Sequence, residues 1–192
     1  MNTLIVAAGR SKRFGPANKL LTQIGGRPLI VVSTARILAA TRGPVRLVVG
    51  HQSRRIIAAL ARYGVIPHPR LSIVRAHASA AGLAASLDTA LESAPRIDSA
   101  VTVYLADMPY VEPAVDYLLS RAVRAGYPIA RVAAADQPGH PVRIHRRALA
   151  GVAGPGRLAR AARNPRVATF YRRVSTRAVA DVDTRQMIRS LI

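Results

Sequence analysis

A chain of 192 residues is long enough to bury a complete core in one domain without disulfides or a structural metal. It contains no cysteine, which excludes thiolate metal sites, cysteine nucleophiles and a disulfide framework, and accords with a reducing, cytoplasmic setting. The formal charge of +20 attracts polyanions such as nucleotides, but Trp is absent and Phe occurs twice, so the aromatic platforms expected of a nucleic-acid-binding protein are missing. The charge comes almost wholly from arginines scattered along the chain, and Lys12 and Lys19 are the only lysines.

Taken in chain order, Thr3–Ala8 reads as a buried strand whose apolar run is too short for a signal segment or a membrane span. It leads into Gly9-Arg10-Ser11-Lys12-Arg13-Phe14-Gly15 and then Asn18-Lys19-Leu20-Leu21. A glycine-bracketed basic loop after a strand suits a polyphosphate. Gly9 and Gly15 let the backbone approach phosphate oxygens and aim N–H groups at them, while Lys12, Arg13 and Lys19 bring charge. The loop lacks both the Gly-Lys-Ser/Thr of a Walker A loop and the Gly-x-Gly-x-x-Gly of a dinucleotide fold, which argues against an ordinary ATPase or dehydrogenase.

Beyond the loop, helical periodicity over Pro28–Ala40, Arg54–Tyr63, Gly82–Ser93 and Pro113–Arg124 alternates with apolar strands at Val45–Val49, Leu71–Val74 and Ala100–Leu105. Such alternation predicts an α/β fold, a mostly parallel central sheet with helices on both faces, and ligands beyond the carboxyl ends of the strands. After a strand at Ile129–Ala133 the regularity changes. Asp136–Pro141 reads as a turn, Val142–Ile144 as a short extended piece, Arg146–Val152 and Gly156–Ala162 as helical, and Val167–Phe170 as a strand. A final helix over Thr184–Leu191 has Asp183 as its expected N-cap.

With so few carboxylates, their placement is informative. Asp107 follows the apolar strand run Val101-Thr-Val-Tyr-Leu-Ala106 directly and precedes Met108-Pro109, while Asp181 and Asp183 flank Val182 at another strand-to-helix junction. Magnesium takes hard oxygen ligands, commonly one or two carboxylates together with substrate phosphates and water, so one Asp on each side of a triphosphate would meet its demand. Asp107 also fits a turn cap before proline, and Asp183 fits a plain N-cap. Gly82-Leu-Ala-Ala-Ser86-Leu87 opens a helix whose N–H groups and Ser86 hydroxyl could meet a base, ribose or phosphate, or it could simply pack through its leucines.

The run Ala7-Ala8-Gly9-Arg10-Ser11-Lys12-Arg13-Phe14-Gly15 with Lys19-Leu20-Leu21 resembles the signature loop of the MobA-like nucleotidyltransferases, which wraps the triphosphate of a nucleoside triphosphate. Leu105-Ala-Asp107-Met-Pro-Tyr-Val111 resembles the family's second signature, whose Asp binds the catalytic magnesium. Asp181-Val-Asp183-Thr184 resembles its C-terminal Asp-Ile-Asp-Thr, although Arg185-Gln186 replaces the usual Pro-Glu and leaves either Asp as the second ligand. The element at Gly82–Leu87 is similar to the family's Gly-Met-Ser-x-Ser-Leu nucleotide contact, with Ala84 in place of the first Ser.

The resemblance implies a single-domain Rossmann-like nucleotidyltransferase fold. It implies Arg13, Lys19 and Asp107 as catalytic groups, with Ala7, Ala8, Gly9, Arg10, Ser11, Arg13, Lys19, Gly82 and Ser86 at the nucleotide and Mg2+ on Asp107 with Asp181 or Asp183. Ala7-Ala8-Gly9 and Gly139-His140-Pro141-Val142 are similar to the molybdenum cofactor cytidylyltransferase branch. That branch implies CTP as donor, molybdopterin as phosphorylated acceptor and His140 beside the acceptor; from the residues alone, His140 fits a structural turn equally well.

Other readings keep the chemistry and change the partners, with GTP or another phosphorylated small molecule. A different class is a non-catalytic nucleotide-binding scaffold serving a molybdoenzyme or its chaperone. No nucleic-acid or membrane partner is expected. Because an acceptor phosphate is already ionised, positioning and charge neutralisation would suffice for transfer, and loss of Lys19 or Asp107 is expected to depress turnover more than folding.

Overall fold

The computed structural model describes residues 2–9, 14, 17–76, 88, 91–92, 99–135, 137–152, 154, 156–164 and 166–176. Among them a sheet of seven strands carries the fold. In chain order the elements are β1 (Asn2–Ala7), the small antiparallel pair β2 (Gln23–Ile24) and β3 (Arg27–Pro28), α1 (Leu29–Ala40), β4 (Val45–Val49), α2 (Ser53–Arg62) and β5 (Leu71–Arg75). There follow β6 (Ala100–Leu105), α3 (Pro113–Arg124), β7 (Ile129–Ala134), β8 (Gln137–His145), α4 (Arg157–Arg163) and β9 (Thr169–Arg173). The main sheet has the order β5-β4-β1-β6-β8-β7-β9. Only β8 runs against its neighbours, and the remaining pairs are parallel.

Period-two alternation sorts the strand side chains between two faces. Ile5, Ala7, Leu47, Val49 and Tyr104 face one way and pack with Leu29, Ile30 and Ile37 of α1 and Ile56 and Leu60 of α2. Farther along the sheet, α3 covers Ala100, Ala130 and Val132 through Val115 and Leu119. Leu4, Val6, Val101, Val103, Ile129, Val142 and Ile144 face the other way, toward Leu91 and Leu158 of α4. Helices therefore cover both faces, as the alternation predicts. Both β1 and β6 are buried throughout except for the half-buried Leu105, the pattern of central parallel strands.

The region after Ala133 departs from the sequence reading. Residues 137–141 belong to β8, where a turn was expected, and the reversal is a two-residue connection in which Ala135 takes a positive φ of 45°. Prolines and glycine suggested a turn, yet Pro138 and Pro141 are tolerated because the β6–β8 ladder ends at Val103↔Val142, leaving that side of β8 without a neighbour to receive an N–H. Arg146–Leu149 is a single 3-10 turn in place of a longer helix, and β9 begins at Thr169. Asp88, Leu91 and Glu92 are helical, but the rest of the expected Gly82–Ser93 helix and all of Thr184–Leu191 lie outside the described residues.

Some of the arginine content serves the fold. Arg70 donates to Leu38 O and Thr41 O, at 2.6 Å each, where the C-terminal carbonyls of α1 have no intrahelical partner.

Candidate active site

Parallel pairing of β1 and β6 brings two chain segments together at one sheet edge. Their register runs to Val6↔Leu105, and Ala106 N–H donates to Val6 O at 3.1 Å. Continued by two residues, that register sets Asp107 level with Ala8. Met108 and Val111, both buried in the core, hold the chain just beyond Asp107.

From the other side comes Lys19. It opens the 3-10 turn Lys19–Leu21, and Asn18 caps that turn by accepting the Leu20 N–H on Oδ1 at 3.1 Å. Phe14 and Leu20 are buried in the same core cluster as Ile5 and Ala7, so apolar anchors stand on either side of Asn18 and Lys19 in the chain.

The outcome is a close ion pair. Lys19 Nζ lies 2.5 Å from Asp107 Oδ2, with the two side chains 13% and 12% exposed. The other carboxylate oxygen of Asp107 is buried without a hydrogen-bond partner, and so is Nδ2 of Asn18. A hard, buried and unpartnered carboxylate oxygen at the carboxyl edge of a central strand fits a divalent cation. Among the described residues no cluster of three or more His, Cys, Asp or Glu occurs, so further metal ligands would come from elsewhere in the chain or from substrate.

The glycines on either side of the loop's start do different work. Gly9 has no positive φ, and no atom of the described residues lies within 4 Å of where a Cβ would stand, so neither backbone strain nor packing against those residues requires glycine there. Open space beside an exposed backbone leaves room for a ligand to approach. At Gly50, just past β4, a Cβ would stand 3.0 Å from Ala8 Cβ and 3.1 Å from Ala8 O. Gly50 thus lets β4 pass close behind the loop, a role the linear sequence did not mark because the contact spans two strands.

On the far side of β6, β8 pairs with that strand as far as Val103↔Val142, and Gly139 and His140 lie in the part of β8 beyond the last pair. His140 is half-buried, and burial, with the Arg131 guanidinium nearby, lowers its pKa to about 4. The imidazole is therefore neutral near pH 7. Arg131 donates from one terminal nitrogen to Gly139 O and from the other to Ala162 O, at 3.3 Å each.

Of the residues expected at the site, Lys19 and Asp107 are in direct contact, Ala7 ends β1 on the strand beside β6 with Ala8 and Gly9 directly after it, and His140 is on β8, the strand on the other side of β6. Arg10, Ser11, Arg13, Gly82, Ser86, Asp181 and Asp183 lie outside the described residues. Asn18, Gly50 and Arg131 are additions. Asn18 stood within a recognised motif and its cap preference was a usable signal, whereas Gly50 and Arg131 gain meaning only from strands paired across the sheet. No helix among the described residues is long and apolar enough to cross a membrane.

Known proteins agree with this architecture. The structure is similar to that of Rv0371c from Mycobacterium tuberculosis H37Rv, with a TM-score of 0.79, 24% identity, and coverage of 99% of this chain and 96% of that one. A crystal structure of that mycobacterial protein is a complex with manganese. The molybdopterin-guanine dinucleotide biosynthesis protein A of Archaeoglobus fulgidus aligns with a TM-score of 0.66 at 16% identity, over 100% of this chain and 96% of that one. In sequence, the bifunctional protein GlmU of Anaeromyxobacter sp. (strain Fw109-5) is 33% identical over 123 residues, which cover 64% of this chain and 24% of GlmU. The chain thus spans about a quarter of the length of that relative. The model of the MobA-like NTP transferase domain matches residues 3–181, and the chain belongs to that family.

Proposed function

We propose that the protein is a nucleotidyltransferase that moves CMP from CTP to the phosphate of a molybdopterin-type acceptor and releases pyrophosphate. The observation that carries this reading is the meeting of Lys19 with Asp107 beside the open backbone of Gly9. A cation and a carboxylate converge there from two loops at the carboxyl edge of a parallel sheet, where ligands of such sheets bind.

An oxygen of the acceptor phosphate attacks the α-phosphorus of the nucleotide. A new O–P bond forms, the bond from the α-phosphorus to the bridging oxygen breaks, and that oxygen leaves with its electron pair on pyrophosphate. The acceptor oxygen is already ionised, so no strong base is needed. The chain's task is alignment and charge neutralisation. Lys19 supplies an ammonium to the phosphates, with Arg13 as a second cation by the family resemblance. Backbone N–H groups around Gly9 would face the phosphates by the family resemblance, and the cap at Asn18 holds Lys19 in position. Asp107, with Asp181 or Asp183 by resemblance, would hold Mg2+, whose contribution when bound is to offset charge on the phosphate oxygens. The manganese complex of the mycobacterial neighbour supports a divalent ion in this fold.

A second reading has GTP as the donor, favoured by the name of the Archaeoglobus neighbour. Pyrophosphate release from CTP and from GTP, each with Mg2+ and molybdopterin, separates the two. Release from CTP alone, lost in Asp107→Asn while the variant remains folded by circular dichroism, is the expected result. Release from GTP alone would transfer the assignment to guanylyl transfer. Absence of release from both would overturn the molybdopterin reading.

A further inference from the structure

A cavity of about 370 Å3 lies between the end of α1 and α3, within the size range of small-ligand sites. Ala39, Ala40 and Arg42 line it from the α1 end, and α3 contributes Pro113, Asp116, Tyr117 and Arg124. The α3 positions are three, four and seven residues apart, the spacing that keeps side chains on one helical face. The two alanines reach no farther than Cβ and so leave the gap open. None of Gly9, Lys19 or Asp107 is among the described residues of the lining, and Arg42 stands just before β4 begins, at the amino edge of the sheet. The Lys19–Asp107 pair belongs to the opposite, carboxyl edge.

Three features set this lining apart from plain surface. Asp116 is 7% exposed, and its Oδ1 is buried with no hydrogen-bond partner among the described residues. A carboxylate so nearly buried ordinarily has its oxygens satisfied. Tyr117 remains 58% exposed even though the Arg121 guanidinium lies 5.9 Å from its ring centroid. Arg42 and Arg124, both exposed, bring guanidinium groups from two different elements to one cavity.

We infer that this cavity is a second ligand site, separate from the catalytic edge, for a ribonucleoside 5′-phosphate. The choice of ligand follows from the mixture of charges. A metal ion or an amine would answer Asp116 but meet two guanidinium groups. A bare inorganic anion would answer the arginines and leave Asp116 against a negative charge. A ribonucleotide carries an anion at one end and hydroxyl donors in the middle, which suits both. Arg42 and Arg124 take the phosphate, whose oxygens match planar N–H forks. Asp116 accepts from the ribose hydroxyls, as acidic residues do in dinucleotide sites. The base lies on the Tyr117 ring, a contact that any base can make.

Equilibrium dialysis of the full chain against radiolabelled AMP tests the inference, AMP being neither of the donors proposed for the carboxyl edge. Wild type is expected to retain AMP, with affinity falling about tenfold in Arg42→Met or Arg124→Met and about 100-fold in the double variant. Both side chains are exposed, so melting temperature and pyrophosphate release should be unchanged in these variants. In wild type, 2′-deoxy-AMP, which lacks one ribose hydroxyl, should bind about tenfold more weakly than AMP. No AMP retained by wild type, equal affinity in the double variant, or equal affinity for the deoxy compound would each overturn the second site. AMP that is held equally by the double variant and displaced by CTP would be bound at the catalytic edge instead. Absence of pyrophosphate release, with AMP binding that still depends on both arginines, would defeat the nucleotidyl-transfer reading alone.

Discussion

Lys19 and Asp107 are 88 positions apart in sequence, yet Nζ and Oδ2 are 2.5 Å apart and nearly buried. The contact exists because β1 and β6 are parallel neighbours and because Asn18 and Leu20 turn Lys19 back toward the strand end. A chain with 29 basic and nine acidic residues, which uses lysine only at positions 12 and 19, places one of those two lysines here, and a compact ammonium is what a single carboxylate or phosphate oxygen accepts best.

The first prediction concerns the cost of breaking this pair. Lys19→Met or Asp107→Asn leaves a nearly buried charge without its counter-ion, and each should lower unfolding free energy by about 3 kcal/mol. The double variant Lys19→Met/Asp107→Asn should recover most of that loss, since neither charge remains. Urea unfolding of the four proteins as a double-mutant cycle measures the coupling. Turnover should fall about 100-fold or more in either single variant and should not recover in the double one, which separates the chemical role from the structural one.

Metal affinity should respond to Lys19 in the opposite sense to turnover. In the free protein the ammonium neutralises one oxygen of the carboxylate that would receive a divalent ion. Removing it in Lys19→Met is expected to tighten binding of Mn2+ alone by about tenfold, while nucleotide binding weakens. Electron paramagnetic resonance titration reads free Mn2+ directly. Unchanged Mn2+ affinity in the variant would show that Asp107 is not a ligand.

Substitutions at the two glycines near the loop should part company. At Gly9 a methyl group meets nothing among the described residues, so Gly9→Ala should leave the melting temperature within a degree or two while weakening nucleotide binding. At Gly50 it would press on Ala8 Cβ and Ala8 O, so Gly50→Ala should cost about 1–3 kcal/mol and disturb the loop as well. Thermal melts with and without nucleotide distinguish the two cases.

His140 makes a pH-dependent contribution with a definite sign. Burial, reinforced by Arg131, lowers its pKa to about 4 in the folded chain, against about 6.5 when unfolded. The unfolded state therefore binds the proton first. Stability is full above pH 6.5 and is lost as pH falls toward 4, by about 1–2 kcal/mol at pH 5. Urea midpoints at pH 7 and pH 5 for wild type and His140→Gln test this. The variant should lose less on acidification than the wild type.

Much of the architecture was legible in the chain before any coordinates. The order of apolar runs and helical periods was enough for a mostly parallel sheet covered on both faces, because each element's burial is written in its own period of two or 3.6. The loop at Gly9 and Lys19 and the carboxylate at Asp107 were also legible, since their residue types and local spacing carry the chemistry. The stretch at 137–141 misled because Pro and Gly are local turn signals, and their tolerance in β8 depends on where β6 stops.

Composition, element order and the identity of the reactive groups are thus properties of short stretches of chain. What awaited the folded molecule was which distant groups meet. The Lys19–Asp107 pair, the closeness of Gly50 to Ala8 and the Arg131 guanidinium near His140 all arise from strands brought side by side. Burial then decides their chemistry by removing the water that would otherwise screen and solvate each charge.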